Sequence, residues 1–220
     1  MKTNRGILIV VSGFSGSGKG TIMKELMKKH SEYYALSISA TTRNPRPGEQ
    51  DGVEYFFRTR EEFERMIAED ELVEYAEYVG NYYGTPKRFV EQQLESGKNV
   101  ILEIEVQGAM QVHKIVPEAV MIFVVPPSLK DLRERLEGRG TESPEAIEKR
   151  LAAAAGEIGL AEEYDFVIVN GENASVVGIT PQQAEDIFDA GADVITLGNH
   201  SFAKREIVDY MEDNSRILRP

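Results

Sequence analysis

The stretch Gly13-Phe14-Ser15-Gly16-Ser17-Gly18-Lys19-Gly20-Thr21 follows directly on the apolar run Ile7-Leu8-Ile9-Val10-Val11. A short apolar run that ends in glycines is typical of a buried strand leading into a tight loop. Glycines let successive backbone N–H groups converge on an anion, and a helix starting near Lys19 directs its positive end the same way. The stretch therefore predicts a loop that binds nucleotide phosphates, with Lys19 as a mobile positive charge.

The motif G-x-x-x-x-G-K-[ST] is met through Lys19, but Gly20 stands where the motif has serine or threonine. Thr21 comes one residue later, and we expect it to supply the hydroxyl on the Mg²⁺ side of bound ATP. The alternative is a surface turn that happens to contain glycines and a lysine. The strand before the loop and the amphipathic run after it disfavour that alternative.

Composition narrows the class of protein. The 220 residues carry a net charge of −12 and no cysteine. The acidic surplus disfavours general binding to nucleic acid or to a membrane surface, and the lack of thiols excludes disulfides and thiolate metal sites. Because the first apolar run is too short for a signal peptide or a membrane span, we expect a soluble cytoplasmic protein. The composition does not indicate the oligomeric state.

Apolar runs of strand length alternate with helical patterns along the chain, which predicts an α/β fold whose parallel sheet has helices on both faces. Proline after a capping residue predicts helix starts at Thr85-Pro86 and Ser143-Pro144. The apolar runs are residues 7–11, 100–104, 120–125 and 166–169.

Two segments interrupt this alternation. Residues 37–85 combine a proline-rich loop, a charged helix and several tyrosines, and we interpret them as an inserted subdomain. The run Arg133 to Arg139 is basic and ends in Gly138-Arg139-Gly140, which favours a hinged lid, at about 133–150, over core packing. The predicted core is then 1–36 and 86–170, followed by a separate segment, 171–220.

Arg43 directly precedes the proline-stiffened segment Asn44-Pro45-Arg46-Pro47-Gly48, which contains Arg46, and Tyr55 lies downstream. Two guanidinium forks near a phenol hydroxyl form a good receptor for a phosphate monoester. Taken alone, each arginine is explained equally well by a solvated charged loop.

The combination of motifs resembles guanylate kinase from residue 1 to about residue 170, in the family's order. The resemblance implies the fold of a phosphate-loop nucleoside monophosphate kinase with a GMP-binding subdomain and a lid. It also implies transfer of the γ-phosphoryl group of ATP to GMP, giving ADP and GDP, with Mg²⁺. The motifs that carry it are the loop 13–21, residues 37–57, Asn81-Tyr82-Tyr83-Gly84-Thr85, residues 102–108 and residues 135–141.

The resemblance assigns roles to individual residues. The GMP phosphate would be held by Arg43, Arg46, Tyr55 and Tyr83, and the guanine edge by Ser39, Glu74, Thr85 and Glu105. The transferring phosphoryl group would be stabilised by Lys19, Arg43 and the lid arginines Arg135, Arg139 and Arg150. Glu103 would also belong to the GMP site, and Glu103 and Glu105 would organise Mg²⁺ waters or orient arginines. Asn170 would lie on the ATP side. Glu105 departs from the family, which more often has aspartate there.

Guanine chemistry agrees with this assignment. Guanine presents N1–H and the N2 amino group as neighbouring donors, which a carboxylate such as Glu74 can accept together. Its O6 acceptor needs a donor, such as the Thr85 hydroxyl. Adenine lacks that donor pair, so the residues favour GMP over AMP.

Beyond residues 164–170 the chain leaves the kinase pattern. From about residue 164 it resembles a fragment of a bacterial calcineurin-like dinuclear metallophosphoesterase, in which Glu172, Asn173, Asn199 and His200 would match metal-site residues. The bridging carboxylate and additional histidines of a two-metal site are missing, so we expect these four to be vestigial.

Thr180-Pro181 predicts a helix over 180–190 with Ala184, Ile187 and Phe188 on one face. We expect this helix to cover sheet surface that the family covers with its closing helix. The junction indicates a chimeric chain. The leading prediction is an active guanylate kinase with a foreign tail; a nucleotide-binding module without catalysis and a metal-dependent phosphodiesterase stay open as alternatives.

Overall fold

The computed structural model describes residues 5–78, 80–138, 140, 143–172, 178–198, 201 and 204–219. The described residues form two compact units, the first from within 1–11 and 20–120 and the second from within 12–19 and 121–220. Four predicted site residues, Arg139, Asn173, Asn199 and His200, lie outside the described residues.

The described residues contain strands and helices in alternation, as the sequence pattern predicts. The strands are β1 (Leu8–Gly13), β2 (Tyr34–Leu36), β3 (Ala40–Thr41), β4 (Phe56–Phe57), β5 (Leu72–Tyr78), β6 (Asn81–Pro86), β7 (Asn99–Glu103), β8 (Val120–Val125), β9 (Phe166–Asn170), β10 (Val194–Thr196) and β11 (Ile217–Leu218). The helices are α1 (Lys19–His30), α2 (Arg60–Ala68), α3 (Lys87–Glu95), α4 (Val106–Ile115), α5 (Leu129–Gly138), α6 (Pro144–Glu157), α7 (Pro181–Asp189) and α8 (Glu206–Asp213), with a 3₁₀ helix over Ile158–Glu163.

The first unit contains two sheets. In one, β7 lies between β1 and β2, and both pairings are parallel, with Leu8 opposite Val100 and Tyr34 opposite Asn99. The second has the order β4-β3-β6-β5, with β6 antiparallel to both of its neighbours. Phe63 of α2 packs into the core of this second sheet. The second sheet falls within residues 40–86, which apart from Pro86 belong to the segment 37–85 predicted to be an inserted subdomain.

The second unit is built on parallel pairing in the order β8-β9-β10-β11. Its helix α7 begins as predicted, since the Thr180 hydroxyl accepts the N–H of Gln183 and the Gln183 side chain accepts the N–H of Thr180. Ala184 and Phe188 of α7 are buried. The α/β architecture with mainly parallel pairing is therefore confirmed, and the helix predicted over 180–190 is present.

Two local predictions are wrong. Thr85-Pro86 does not open a helix, because Thr85 is a buried residue of β6 and Pro86 is the residue before α3. The Thr85 hydroxyl donates to Glu74 rather than capping helical N–H groups. The segment after residue 133 is also not excluded from the core, because Leu136 of α5 is fully buried. Ser143 does cap α6, with Pro144 as the first helical residue.

Candidate active site

Three glycines shape the phosphate loop, residues 13–21. Gly13, Gly16 and Gly18 have φ angles of 137°, 98° and 100°, which other residues rarely adopt. A Cβ added to Gly13 would lie 2.0 Å from the Val124 carbonyl oxygen, and one added to Gly18 would lie 2.0 Å from Asn170 Nδ2. The loop therefore presents backbone N–H groups rather than side chains as its binding surface.

Lys19 begins α1 and its side chain turns back onto the loop. The side chain is buried, and Nζ donates to the carbonyl oxygens of Gly13 and Phe14. The neighbouring Ser17 hydroxyl is buried and has no hydrogen-bond partner within the described part of the chain. The loop thus combines a charged amine with an unpaired polar group, while Ser15 is half-buried beside them. Both groups suit an anionic ligand.

Two side chains form hydrogen bonds to the backbone of this loop. Asn170 Nδ2 donates to the Ser17 carbonyl at 3.0 Å. Arg135 donates to the carbonyls of Ser17 at 3.1 Å, Asn170 at 2.7 Å and Glu172 at 2.8 Å. The sequence predicts Arg135 as a lid arginine and Asn170 as an ATP contact, and the structure gives both side chains backbone acceptors at the loop. Their contacts are those of residues that hold the loop in shape.

The arginine loop, residues 43–57, belongs to the first unit. The Arg43 guanidinium carbon lies 5.3 Å from the centroid of the Tyr55 ring, which meets the Tyr83 ring edge-to-face at 6.1 Å. Arg43 also forms a bidentate ion pair with Glu49, at 2.9 and 3.0 Å. The structure therefore brings together three of the four residues predicted to hold the GMP phosphate. Arg46, the fourth, has an exposed side chain three residues from Arg43.

The ion pair affects the ionisation of both partners. The hydrogen bonds from Arg43, followed by that from the Arg46 backbone, lower the pKa of Glu49. The same carboxylate raises the pKa of Arg43. Burial is the main cause that raises the pKa of Tyr55, so its phenol keeps its proton and remains a hydrogen-bond donor at neutral pH.

Glu74 and Thr85 form the second cluster of the first unit. Both are buried, and the Thr85 hydroxyl donates to Glu74 Oε1 at 2.7 Å. Burial raises the pKa of Glu74, and hydrogen bonds from Thr85 oppose the shift. Because a hydroxyl has one proton, Thr85 here fixes the carboxylate and does not offer that proton to guanine O6. Tyr83 and Thr85 are two residues apart on β6, so they face the same side of the sheet.

Helix α4 positions Glu74. Its Gly108 leaves the necessary room, since a Cβ there would lie 2.6 Å from Glu74 Oε2. Gln111 accepts the N–H of Tyr75 at 3.3 Å and donates to the carbonyl of Tyr75 at 2.9 Å, so its amide pairs with the edge strand β5. The β5–β6 register shifts between Leu72 and Tyr75, and such irregularities re-aim side chains. Glu74 lies within this shift.

Oxygen donors occur at the start of α1 and the end of β7. A Cβ added to Gly20 would lie 3.6 Å from Glu103 Oε1, an ordinary contact. Thr21 is exposed and Glu103 is half-buried. Since Mg²⁺ prefers hard oxygen ligands, the Glu103 carboxylate and the Thr21 hydroxyl are donors of the type that this ion takes. Glu105 is exposed at the start of α4.

The remaining predicted residues are placed less distinctively. Ser39 is half-buried, and its carbonyl accepts the N–H of Phe56 at 2.9 Å. Arg150 is half-buried on α6. For the tail, no group of three residues able to hold a metal ion occurs among the residues that the structure describes. Of the four vestigial metal candidates, Glu172 alone is described.

Sequence reasoning missed three residues that shape the site: Glu49, Gly108 and Gln111. Glu49 carries a signal, because it follows a Pro-Gly pair that predicts a turn. Gly108 falls within the motif 102–108, but neither Gly108 nor Gln111 has a local signal for its contact, because their partners lie more than 30 residues away in sequence.

The parallel α/β fold and the glycine loop define a phosphate-loop protein. A family model described as Guanylate kinase matches residues 5–177. Guanylate kinases of Desulfitobacterium hafniense and Bacillus anthracis are each 56% identical over 172 residues; the match covers 78% of this chain, and 86% and 84% of the two relatives. The crystal structure of guanylate kinase from Anaplasma phagocytophilum superposes with a TM-score of 0.59 at 32% identity, covering 85% of this chain and 86% of that one. The chain belongs to the guanylate kinase family.

The tail matches a different family. A family model described as YmdB-like protein matches residues 140–220. The two matches overlap over 140–177, which includes the segment 164–170 where the sequence predicts the change of pattern. No helix in the described residues has both the length and the apolar character needed to cross a bilayer.

Proposed function

We propose that the chain transfers the γ-phosphoryl group of ATP to GMP, giving ADP and GDP. The observation that carries this proposal is the arrangement in the first unit. There Arg43, Tyr55 and Tyr83 form a phosphate receptor, and β6 places Tyr83 on the same side as Thr85, which holds the buried carboxylate of Glu74. A site for a phosphate group beside a site for the guanine donor pair matches the two ends of GMP.

On this proposal, the guanidinium groups of Arg43 and Arg46 and the phenols of Tyr55 and Tyr83 bind the GMP phosphate. Glu74 accepts N1–H and N2–H of guanine, and Ser39 and Glu105 complete the contacts to the base. Because Glu74 is buried, an analogue that lacks this donor pair would leave the carboxylate desolvated and without a ligand partner. Glu74 therefore sets specificity against AMP.

The phosphate loop binds ATP in this proposal. Backbone N–H groups of residues 13–21 cradle the β- and γ-phosphates, and Lys19 exchanges its carbonyl acceptors for phosphate oxygens. Asn170 and Arg135 keep the loop in shape through the Ser17 carbonyl. Thr21 and Glu103 would hold Mg²⁺, which would supply charge neutralisation on the phosphates.

In the transfer itself, an oxygen of the GMP phosphate forms a bond to the γ-phosphorus of ATP while the bond to the β–γ bridging oxygen breaks. Charge spreads over the oxygens of the transferring group, and Lys19, Arg43 and the two other predicted lid arginines, Arg139 and Arg150, stabilise it. No strong general base is required, because catalysis of this reaction is mainly positioning and charge stabilisation.

A coupled assay of ADP formation tests the proposal, with ATP and either GMP, AMP or UMP as acceptor. We expect turnover with GMP and at least about a hundredfold lower kcat/KM with AMP, because the buried Glu74 carboxylate needs the guanine donor pair. Equal use of GMP and AMP would contradict the guanine assignment. GMP binding without GMP-dependent ADP formation would contradict the kinase assignment.

A further inference from the structure

Glu49 lies in the arginine loop and has no role in the proposed transfer. Its carboxylate accepts N–H groups from Arg43 Nη1 at 3.0 Å and Nη2 at 2.9 Å. It also accepts the backbone N–H of Arg46 at 2.7 Å. One carboxylate thus holds both arginines of the phosphate receptor, the first by its guanidinium group and the second by its backbone.

The local sequence delivers Glu49 to this position. The N–H of Glu49 donates to the carbonyl of Arg46 at 3.0 Å, which closes a turn with Pro47 and Gly48 at its centre. Gly48 has a φ angle of 93°, and proline followed by a glycine of positive φ is the signature of a type II turn. The turn therefore fixes the Glu49 backbone independently of the contacts that its side chain makes with the two arginines.

The ion pair leaves part of the Arg43 guanidinium available. A guanidinium has five N–H donors and two edges that can bind an oxyanion in bidentate fashion. Glu49 takes the Nη1–Nη2 edge, and the second Nη1 donor goes to the Asn44 carbonyl at 2.8 Å. Within the described residues, no hydrogen bond is formed by Nε or by the second Nη2 donor. These two donors form the other bidentate edge.

We propose that Glu49 is a positioning residue that orients Arg43 and Arg46 for the phosphate of the nucleotide acceptor. This inference rests on the proposed function. The ion pair is shielded, with the two side chains 16% and 17% exposed. Arg43 also lies against the rings of Tyr55 and Phe57, at 5.3 and 5.8 Å. Ring contacts restrict the plane of the guanidinium, and Glu49 determines which edge faces outward.

Orientation and charge predict opposite effects when Glu49 is changed to glutamine. Glu49→Gln removes one negative charge from the receptor, so an effect of net charge alone would tighten binding of the GMP dianion. The glutamine amide, however, presents N–H donors where the carboxylate accepts, and it cannot accept all three N–H groups. If Glu49 acts by orienting the arginines, phosphate binding weakens despite the more positive charge.

The test measures the dissociation constants of GMP and guanosine by calorimetry in the full chain. Guanosine lacks the phosphate, so the ratio of the two constants isolates the contribution of the phosphate. In Glu49→Gln we expect GMP to bind about tenfold more weakly while guanosine is unchanged, because a charge-assisted bidentate bond has been lost. Glu49→Asp, which keeps the charge, should recover part of the loss. Glu54→Gln is the matched control, since Glu54 accepts the backbone N–H of Gln50 at 2.7 Å in the same loop.

Unchanged or tighter GMP binding in Glu49→Gln would overturn the inference. An equal loss of affinity for GMP and for guanosine would also overturn it. That result would mean that the substitution disrupts the whole loop rather than the orientation of the arginines. The affinities of the wild-type chain for GMP and guanosine distinguish failure of the Glu49 inference from failure of the proposed function. If the unchanged chain binds GMP no better than guanosine, the phosphate receptor itself is wrong and the role of Glu49 falls with it.

Discussion

The two proposed anion receptors of the chain are built in different ways. The phosphate loop uses backbone N–H groups, and its glycines pack so closely that a Cβ on Gly13 would lie 2.0 Å from a carbonyl oxygen. The arginine loop uses side chains, and a carboxylate of the same loop, Glu49, holds Arg43 in place. A backbone receptor is sensitive to added atoms, whereas a side-chain receptor is sensitive to lost hydrogen bonds and charges. This difference predicts which substitutions affect stability and which affect affinity.

The largest effect is expected at Lys19, the one charged side chain of the phosphate loop. Lys19→Ala removes the amine that would stabilise charge on the transferring phosphoryl group, and we expect kcat to fall by about a thousandfold. Lys24→Ala is the matched control, since Lys24 is exposed on the same helix and should leave kcat unchanged. The measurement is steady-state ADP formation at saturating ATP and GMP. If Lys19→Ala retains more than a tenth of the wild-type turnover, the backbone N–H groups of the loop are sufficient for catalysis without the lysine.

The second prediction tests whether the close packing of the glycines in the phosphate loop is needed for stability. Gly13→Ala places a Cβ against the Val124 carbonyl at a residue with φ of 137°, so strain and overlap add. We expect the free energy of unfolding to fall by about 3 kcal/mol or more. Urea denaturation measures this change. A loss below about 1 kcal/mol would mean that the strand end relaxes and that the close packing is dispensable.

The two loops also show how much of the proposed site can be predicted from the sequence. The spacing of Gly13, Gly18 and Lys19 predicts the phosphate loop because all its determinants are local. Arg43 and Tyr55 are predicted together for the same reason. The boundary at Thr85-Pro86 is predicted wrongly because the Thr85 hydroxyl bonds to Glu74, on another strand, and no local pattern encodes that choice.

The supporting residues are harder still to predict. Asn170 reaches Ser17 across 153 positions of sequence, and Gln111 reaches Tyr75 across 36. Such contacts depend on the finished topology. The sequence therefore predicts that Arg43, Tyr55 and Tyr83 cluster, but it does not predict the groups that hold the loops in place.

The third prediction concerns Glu74, which lies on β5 outside both loops and which we propose recognises the guanine base. Glu74→Gln replaces an acceptor-only group by one that also donates, so it opposes the guanine donor pair. We expect the KM for GMP to rise by roughly ten- to a hundredfold, with a smaller change in kcat, and discrimination against AMP to shrink. Glu77→Gln, on the same strand but exposed, is the control. A change confined to kcat would place Glu74 in the transfer step instead of in base recognition.

The raised pKa of Glu74 adds a dependence on pH. Burial raises the folded-state pKa above the ordinary 4.5. Between pH 4.5 and that raised value the folded chain retains a proton that the unfolded chain has released. The free energy of unfolding therefore falls as pH rises through this window. Glu74→Gln lacks the titration, so its stability relative to wild type should increase with pH. Denaturation of both proteins at a series of pH values measures this, and a constant difference would refute it.

The smallest expected effect comes from a glycine with no close neighbours. Gly156 lies in α6, and a Cβ there would meet nothing within 4 Å. Its backbone already has a helical conformation, so Gly156→Ala adds no overlap and removes conformational freedom from the unfolded chain. We expect the free energy of unfolding to rise by about 0.5–1 kcal/mol, opposite in sign to Gly13→Ala. Urea denaturation of the two variants side by side provides the check. If both variants lose stability, the distance from the added methyl group to its neighbours does not determine its effect. The predicted difference in sign between Gly13 and Gly156 would then be wrong.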